Sequence, residues 1–376
     1  MAPPDAKASR AGPLIALLSD YRPRWTPRDF AALAREGYAR NAVAHRCVRL
    51  VAEAVASTPL GLFEAGHEVP AHPLAVLLAR PNPRTTGAAL VEALASHLLL
   101  AGNAYVEAVI VGGQVRELHA LRPDRMRVVP GDDGWPEAFD YTVGARTVRF
   151  LQGDEPVPAI LHLALFNPLD DHYGQPPLEA AQTALDLHNA ASAWNKALLD
   201  NAARPSGALV YGGAANLSDE QFERLKEELE NNFAGASNAG RPLLLEGGLD
   251  WRPLSLSPKD MDFLEAKNGA AREIALAFGV PPMLLGIPGD ATYANYAEAN
   301  RHFWRQTALP MTRRIADALA GWLSPAYGAE MLRLEPDLDA IEALAPERDA
   351  LWRRVGEANF LTDAEKRLAT GYDGEK

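Results

Sequence analysis

Residues 278–286, Phe-Gly-Val-Pro-Pro-Met-Leu-Leu-Gly, constrain this chain more tightly than any other stretch. They end a helix, forbid its continuation and impose a rigid turn. Upstream, Phe263, Ala270, Ile274 and Phe278 recur at helical spacing. Gly279 then stands where a helix end favours the left-handed conformation, and Pro281-Pro282 exclude further helix. After an apolar plug, Met283–Leu285, the residues Gly286, Pro288 and Gly289 open a loop bearing Asp290, Thr292, Tyr293, Asn295 and Tyr296. A helical run through Pro310 follows. The loop offers no workable set of nucleophile, base and metal ligand. Held between two stiff elements, it reads as a part that touches something and moves.

The 376 residues are many for one compact domain and predict two or three subdomains. Hydrophobic content of 48% against 23% charged residues is enough to build a real core. Pro and Gly, 29 of each, predict many turns between short elements. The formal charge of −12 argues against gripping nucleic acid through a net positive field, though it does not exclude a protein that lets nucleic acid slide past. The single cysteine, Cys47, excludes an intrachain disulfide and a multi-cysteine zinc site, and in its helical run it reads as a core residue. The apolar run Leu14 to Leu18 is shorter than a signal-peptide core, and no stretch reaches the ~18 apolar residues of a membrane span. A reducing, cytoplasm-like compartment and no membrane partner are expected.

The order of elements predicts an α+β chain. Residues 1–24, rich in Pro, Ala and Arg, read as a loosely attached arm. A helix is expected over 41–57, with Val43, Cys47, Leu50, Val51, Ala54 and Val55 inward, ended by Pro59. A strand begins at Leu60 and turns through Gly66-His67, and a second helix runs from Thr86 to Ala101. Strands Ala104–Val111 and Val115–Leu121 flank the hairpin turn Gly112-Gly113. Strands Arg125–Val129, Phe139–Val143, Thr147–Leu151 and Ala159–Leu163 continue this as an antiparallel meander.

After Pro176-Pro177, one helix is expected from Leu178 to Asn201, ~37 Å long at 1.5 Å per residue. Its stripe of Leu178, Ala181, Leu185, His188, Ala191 and Leu198 is narrow and mostly small, suited to close packing against a neighbour or another subunit. A strand Gly207–Tyr211 follows, then a helix capped by Ser218 and Gln221, with Leu217 set to staple onto Phe222. Strands Pro242–Leu245 and Leu249–Leu254 complete a small α/β unit, and Ser257-Pro258 start the helix that ends at Phe278. The whole reads as a stalk of two helices with a unit at its tip.

Asp170-Asp171-His172 is the best candidate for metal or acid/base work, for instance a metal-dependent nuclease, but no further ligands stand at ligand spacing. Between Asn167-Pro168 and Gly174 it reads as a polar turn. His45 and Cys47 face different ways on their helix, and His119 and His162 read as half-buried sheet residues. Ser237 misses the G-x-S-x-G spacing by one residue, and neither a phosphate-binding P-loop nor a strand-borne G-x-G-x-x-G occurs. Arg301, Arg305, Arg313 and Arg314 with Phe303 and Trp304 form the locally basic, aromatic helical run. Arginines lying over a packed tryptophan and phosphate contact are both open readings.

Spread along the chain are His72-Pro73-Leu74, Leu77-Leu78, Pro81-Asn82-Pro83, Gly102-Asn103-Ala104-Tyr105-Val106, Leu118 to Pro123 and Ile160-Leu161-His162. Gly174-Gln175-Pro176-Pro177-Leu178 opens the long helix, 278–286 closes its return, and Asn359-Phe360-Leu361-Thr362 with Glu365 and Arg367 lies near the end. In order and spacing, over about 30–370, this set resembles the HK97-type portal proteins of tailed bacteriophages and gene transfer agents.

The resemblance implies a portal-type fold and a homo-oligomeric ring, usually a dodecamer, at one capsid vertex of a virion assembled in a bacterial cytoplasm. Double-stranded DNA would pass through it, and the terminase large subunit, major capsid protein and head-tail connector proteins would be its partners. No enzyme activity, cofactor or metal is implied. By position, 1–40 would be the arm, 41–175 the wing, 176–203 and 258–279 the stem helices and 204–257 the clip. Residues 280–330 would be the tunnel loop and supporting helix, and 331–376 a C-terminal wing or crown segment. Ile287, Asp290, Thr292, Tyr293, Asn295, Tyr296, Arg301 and Arg305 would face the DNA channel. Glu220, Glu223, Glu227, Glu230 and Asn238 would meet terminase and neck proteins. A structural neck or capsid component that lines no channel is the remaining alternative.

Overall fold

The computed structural model describes residue 26 and residues 30–153, 156–200, 207–211, 249–253, 263–288, 293–328 and 332–372. Helix α1 (Ala42–Ser57) starts at Asn41, whose side chain accepts hydrogen bonds from the backbone N–H groups of Val43 and Ala44, both at 3.0 Å. Its buried arc is Ala44, Cys47, Val48, Val51, Ala52, Ala54 and Val55. Val43 and Leu50, expected inward, are only half-buried. The arc is rotated because α1 is covered both by α3 (Gly87–Ala101) and by helical segments within 263–277 and 304–323. Helix α3 begins at its cap Thr86 and stops at Gly102, which is left-handed at φ 71°. Between them lies a helix the periodicity did not reveal, α2 (Pro73–Ala79). The His72 ring caps it by accepting from Leu74 N at 3.1 Å, with Pro73 in its first turn.

The expected meander divides into two sheets. Strands β3 (Asn103–Val111), β4 (Gln114–Leu121) and β8 (Ile160–Ala164) are ordered β4-β3-β8, while β5 (Met126–Pro130), β6 (Pro136–Val143) and β7 (Arg146–Leu151) form the second sheet. Pro123 turns the chain out of the first sheet, and β8 returns to it, placing His162 opposite Tyr105. The reason is apolar. The His162 and Tyr105 rings stack at 4.4 Å, Phe139 of the second sheet meets both edge-on, and Leu121, Met126, Val128 and Ile160 close this satellite core.

A third sheet pairs β1 (Leu60–Glu64) with β2 (His67–Glu68) on one side and with the distant β11 (Leu332–Pro336) on the other, Leu62 opposite Leu334. The expected single long helix is a turn, Pro177–Ala180, followed by α4 (Gln182–Asp200), with Ala181 between them at ψ 0°. Helix α4 packs on α5 (Phe263–Ala277). Leu178, Ala181, Ala184 and Leu185 share the main core with Ala270, Ile274 and Phe278, so small residues of the stripe are used within one chain. Strands β9 (Gly207–Tyr211) and β10 (Leu249–Pro253) pair antiparallel between the two long helices.

Two further helices, α6 (Tyr293–Phe303) and α7 (Leu309–Leu323), are joined by a π-helical turn, Trp304–Ala308. Helices α8 (Ala345–Glu357) and α9 (Asp363–Thr370) close the described chain, the latter under a reciprocal Thr362–Glu365 capping box. Residues 1–24, the Ser218 helix, the strand Pro242–Leu245 and the start of the Ser257-Pro258 helix lie outside the described residues, whereas the end of the expected 1–40 arm is helical over Phe30–Leu33 and Ala34–Ala39, with Leu33 buried in the main core.

Candidate nucleic-acid interface

Helix α5 ends in two linked hydrogen bonds: Gly279 N donates to Leu276 O at 3.0 Å, and Val280 N donates to Ala275 O at 2.9 Å. With Gly279 at φ 64° this is a Schellman end, and Ala275 and Val280 are both buried in the main core. Pro282–Leu285 makes one tight turn that ends at Gly286, φ 70°. Ile287 N then reaches back to Pro282 O at 3.2 Å. The Arg272 guanidinium of α5 donates to the Pro288 carbonyl. The chain is thus steered from α5 to the edge of 289–292, which, Asp290 and Thr292 included, lie outside the described residues.

The expected loop over 286–296 is shorter than the sequence suggested. Tyr293 already opens α6, and Asn295 and Tyr296 sit on its first turns. Ala294, Ala297 and Ala299 favour helix strongly enough to draw these polar residues into it. Asn295 is exposed and Tyr296 is half-exposed at 49%, while Ile287 packs against the main core.

The basic run keeps neither reading whole. Arg301 pairs with Glu298 one turn away, and its Nε is buried without a partner. Arg305 reaches Glu347 of α8 at 3.3 Å, and Arg314 donates to the Ala164 carbonyl at 3.2 Å. Phe303 is buried, and Trp304 is packed between it and the small cluster of Leu309, Ile341 and Leu344. Arg301, Arg305 and Arg314 therefore lean on carboxylates and a carbonyl of their own chain, while Arg313 is exposed. They leave the helix polar without making it a strong anion trap.

Sequence reasoning missed Thr307. It lies in the π-helical turn and donates to the Gly279 carbonyl at 2.6 Å, tying the end of α5 to the helix beyond the loop. Pro310 was the available signal: it lacks the N–H that would bond to residue 306, so the ladder has to be irregular just upstream.

Asp170-Asp171-His172 forms a turn. Asp170 Oδ1 accepts from His172 N at 2.8 Å and Tyr173 N at 2.9 Å, and these bonds hold its carboxyl below the usual range. Among the described residues, no three His, Cys, Asp or Glu side chains are grouped to hold a metal ion. Burial pushes the Cys47 thiol up to about 12, and exposed His45 donates from Nδ1 to the Tyr38 carbonyl at 3.0 Å, so the two do face apart. His162 is half-buried, as expected, and His119 contacts Glu117 at 2.9 Å. Glu220, Glu223, Glu227, Glu230, Ser237 and Asn238 lie outside the described residues. No helix among the described residues is long and apolar enough to cross a membrane.

Comparison with known proteins accords with this architecture. A chain in the neck of an empty gene transfer agent (GTA) particle, computed with C6 symmetry, is similar with a TM-score of 0.75 and 56% identity over 98% of this chain and 100% of that one. A chain from the neck of a native GTA particle, computed with C12 symmetry, has a TM-score of 0.72 at 55% identity, covering 98% of this chain and 100% of that one. An uncharacterized protein of Rickettsia bellii (strain RML369-C) is 41% identical over 347 residues, 89% of this chain and 88% of that protein. The portal protein of Enterobacteria phage HK97 is 26% identical over 335 residues, 86% of this chain and 76% of that protein. The family model described as phage portal protein matches residues 42–371. The chain belongs to the phage portal protein family.

Proposed function

We propose that this chain is the repeating subunit of a portal ring at one vertex of a GTA or phage capsid, the conduit for double-stranded DNA during packaging and ejection. The observation that carries the reading is near full-length likeness to a neck protein of a GTA particle analysed with twelvefold symmetry. On this reading 41–175 is the wing, α4 and α5 belong to the stem, and 204–257 is the clip, which meets the terminase large subunit and later the connector proteins. The residues after Ile287 and the exposed start of α6 face the channel, while Ile287 anchors the loop on the core.

The electrostatics support passage. A duplex bears one charge per ~1.7 Å, so a strongly basic wall would hold it. This chain is acidic overall, and the arginines of α6 and its π-helical turn already have carboxylate partners. The protein acts by shape and contact, without catalysis.

Native mass spectrometry and electron microscopy of the purified protein should show closed rings. A particle that stays monomeric or dimeric at every concentration overturns the reading. Deleting 289–292 should leave rings intact and cut DNA packaging sharply. Rings that package normally after the deletion would favour a neck component that lines no channel.

A further inference from the structure

On the portal reading above, each copy must meet its two neighbours through two different faces, because a ring closes on head-to-tail contacts. Two features lie at opposite ends of α3 and suit such a contact. At its N-terminal end, α1, α2, α3, β1 and β11 surround an open apolar groove of about 290 Å³, lined by Leu60, Leu78, Ala79, Ala88, Val91 and Leu334. Beyond its C-terminal end, the connection from Leu165 to Gly174 carries Phe166 at 81% exposure and Leu169 at 90%.

This connection is a held knob. Its feet are pinned to the end of α3: Leu165 N donates to Gly102 O at 2.8 Å, and Gly174 N donates to Asn103 Oδ1 at 2.9 Å. Inside it, Asn167 accepts from Leu169 N at 3.0 Å and donates to Tyr173 O at 2.8 Å, while Asp170 collects His172 N and Tyr173 N. The polar residues make the turn. Nothing in that turn requires two large apolar side chains in water, and leaving such side chains exposed together marks a contact surface.

The knob cannot fill its own groove. Helix α3 is about 22 Å long at 1.5 Å per residue. The chain from Leu165 to Leu169 reaches at most about 14 Å. Knob and groove are therefore complementary only between copies.

We propose that Phe166 and Leu169 of one copy seat in the α1–α2–α3 groove of the next copy around the ring. The chemistry is apolar on both sides, so the contact is insensitive to salt and repeats at every subunit junction. It also explains why a hydrogen-bonded polar turn carries Phe166 and Leu169 exposed.

Cysteine cross-linking tests it on the full chain. Cys47 is fully buried and its thiol is poorly ionised, so it stays silent in the folded protein. The double variant Leu169→Cys with Ala88→Cys, oxidised or treated with a short bis-maleimide, should give a denaturant-resistant ladder that climbs to the full ring. Either single variant should give no ladder. Phe166→Asp with Leu169→Asp should raise the protein concentration needed for rings by about tenfold or more, with monomer circular dichroism unchanged. Intact rings with no ladder from the double variant overturn the proposal. So does a ladder or intrachain link from Ile15→Cys with Ala88→Cys, which would place the N-terminal apolar run in the groove. If the wild-type protein forms no rings, the portal reading fails first and this contact fails with it.

Discussion

The Thr307 hydroxyl donates to the Gly279 carbonyl at 2.6 Å, and it lies 2.7 Å from where a Cβ on Gly279 would stand. One polar atom therefore ties the end of α5 to the π-helical turn beyond the loop and reserves the space that only glycine leaves. Gly279→Ala meets both this clash and a left-handed φ of 64°. It should cost about 1–3 kcal/mol, read as a lower thermal midpoint at fixed protein concentration. Thr307→Val removes the bond alone and should cost about 1 kcal/mol.

Asn41 joins α1 to α4. Its oxygen caps α1, and its amide nitrogen donates to His188 Nδ1 at 3.0 Å and Asn189 Oδ1 at 2.9 Å. Asn41→Ala removes the cap and leaves the half-buried His188 and Asn189 without this partner, so a loss of about 1–2 kcal/mol is expected in denaturant titration. Asn41→Asp keeps the cap and should lose less.

Acid should weaken the fold well above the carboxylate range. Burial holds the His97 and His162 imidazoles down at about 4, against an ordinary 6.5. The unfolded chain binds these protons first, so stability is complete above 6.5 and falls as pH drops from 6.5 towards 4. About 2 kcal/mol per histidine should be gone by pH 5. His162→Phe preserves a ring against Tyr105 and should roughly halve the difference in urea midpoint between pH 7 and pH 5. An unchanged difference would remove His162 as a cause.

The last helix depends on its cap. Thr362 Oγ1 accepts from Glu365 N at 3.3 Å, and Glu365 accepts from Thr362 N at 2.8 Å. Thr362→Ala should cost about 1 kcal/mol locally, visible as faster amide exchange over 363–370, with exchange in α3 unchanged.

What could be read in the residues is what neighbours in the chain decide. Thr86 and Gly102 bracket α3, Gly279 and Pro281-Pro282 end α5, and Gly112-Gly113 turns β3 into β4, because caps, breakers and hairpin turns act within a few residues. The order of motifs also carried the family. Inside the candidate site, the helix end at Gly279 was legible, whereas the extent of the loop was not: alanine between the polar residues drew Tyr293 to Tyr296 into α6.

Only the folded chain decided which distant surfaces meet. Nothing near β8 says that it returns to β3 rather than extending the β5-β6-β7 sheet. Its place is set by the burial of His162 against Tyr105 and Phe139. Likewise β1 accepts β11 because Leu62 and Leu334 complete one core, and Thr307 meets Gly279 because the π-helical turn just before Pro310 is brought to the end of α5. Propensity is encoded residue by residue, but pairing is won by burying apolar surface across long loops, and that quantity exists only in three dimensions.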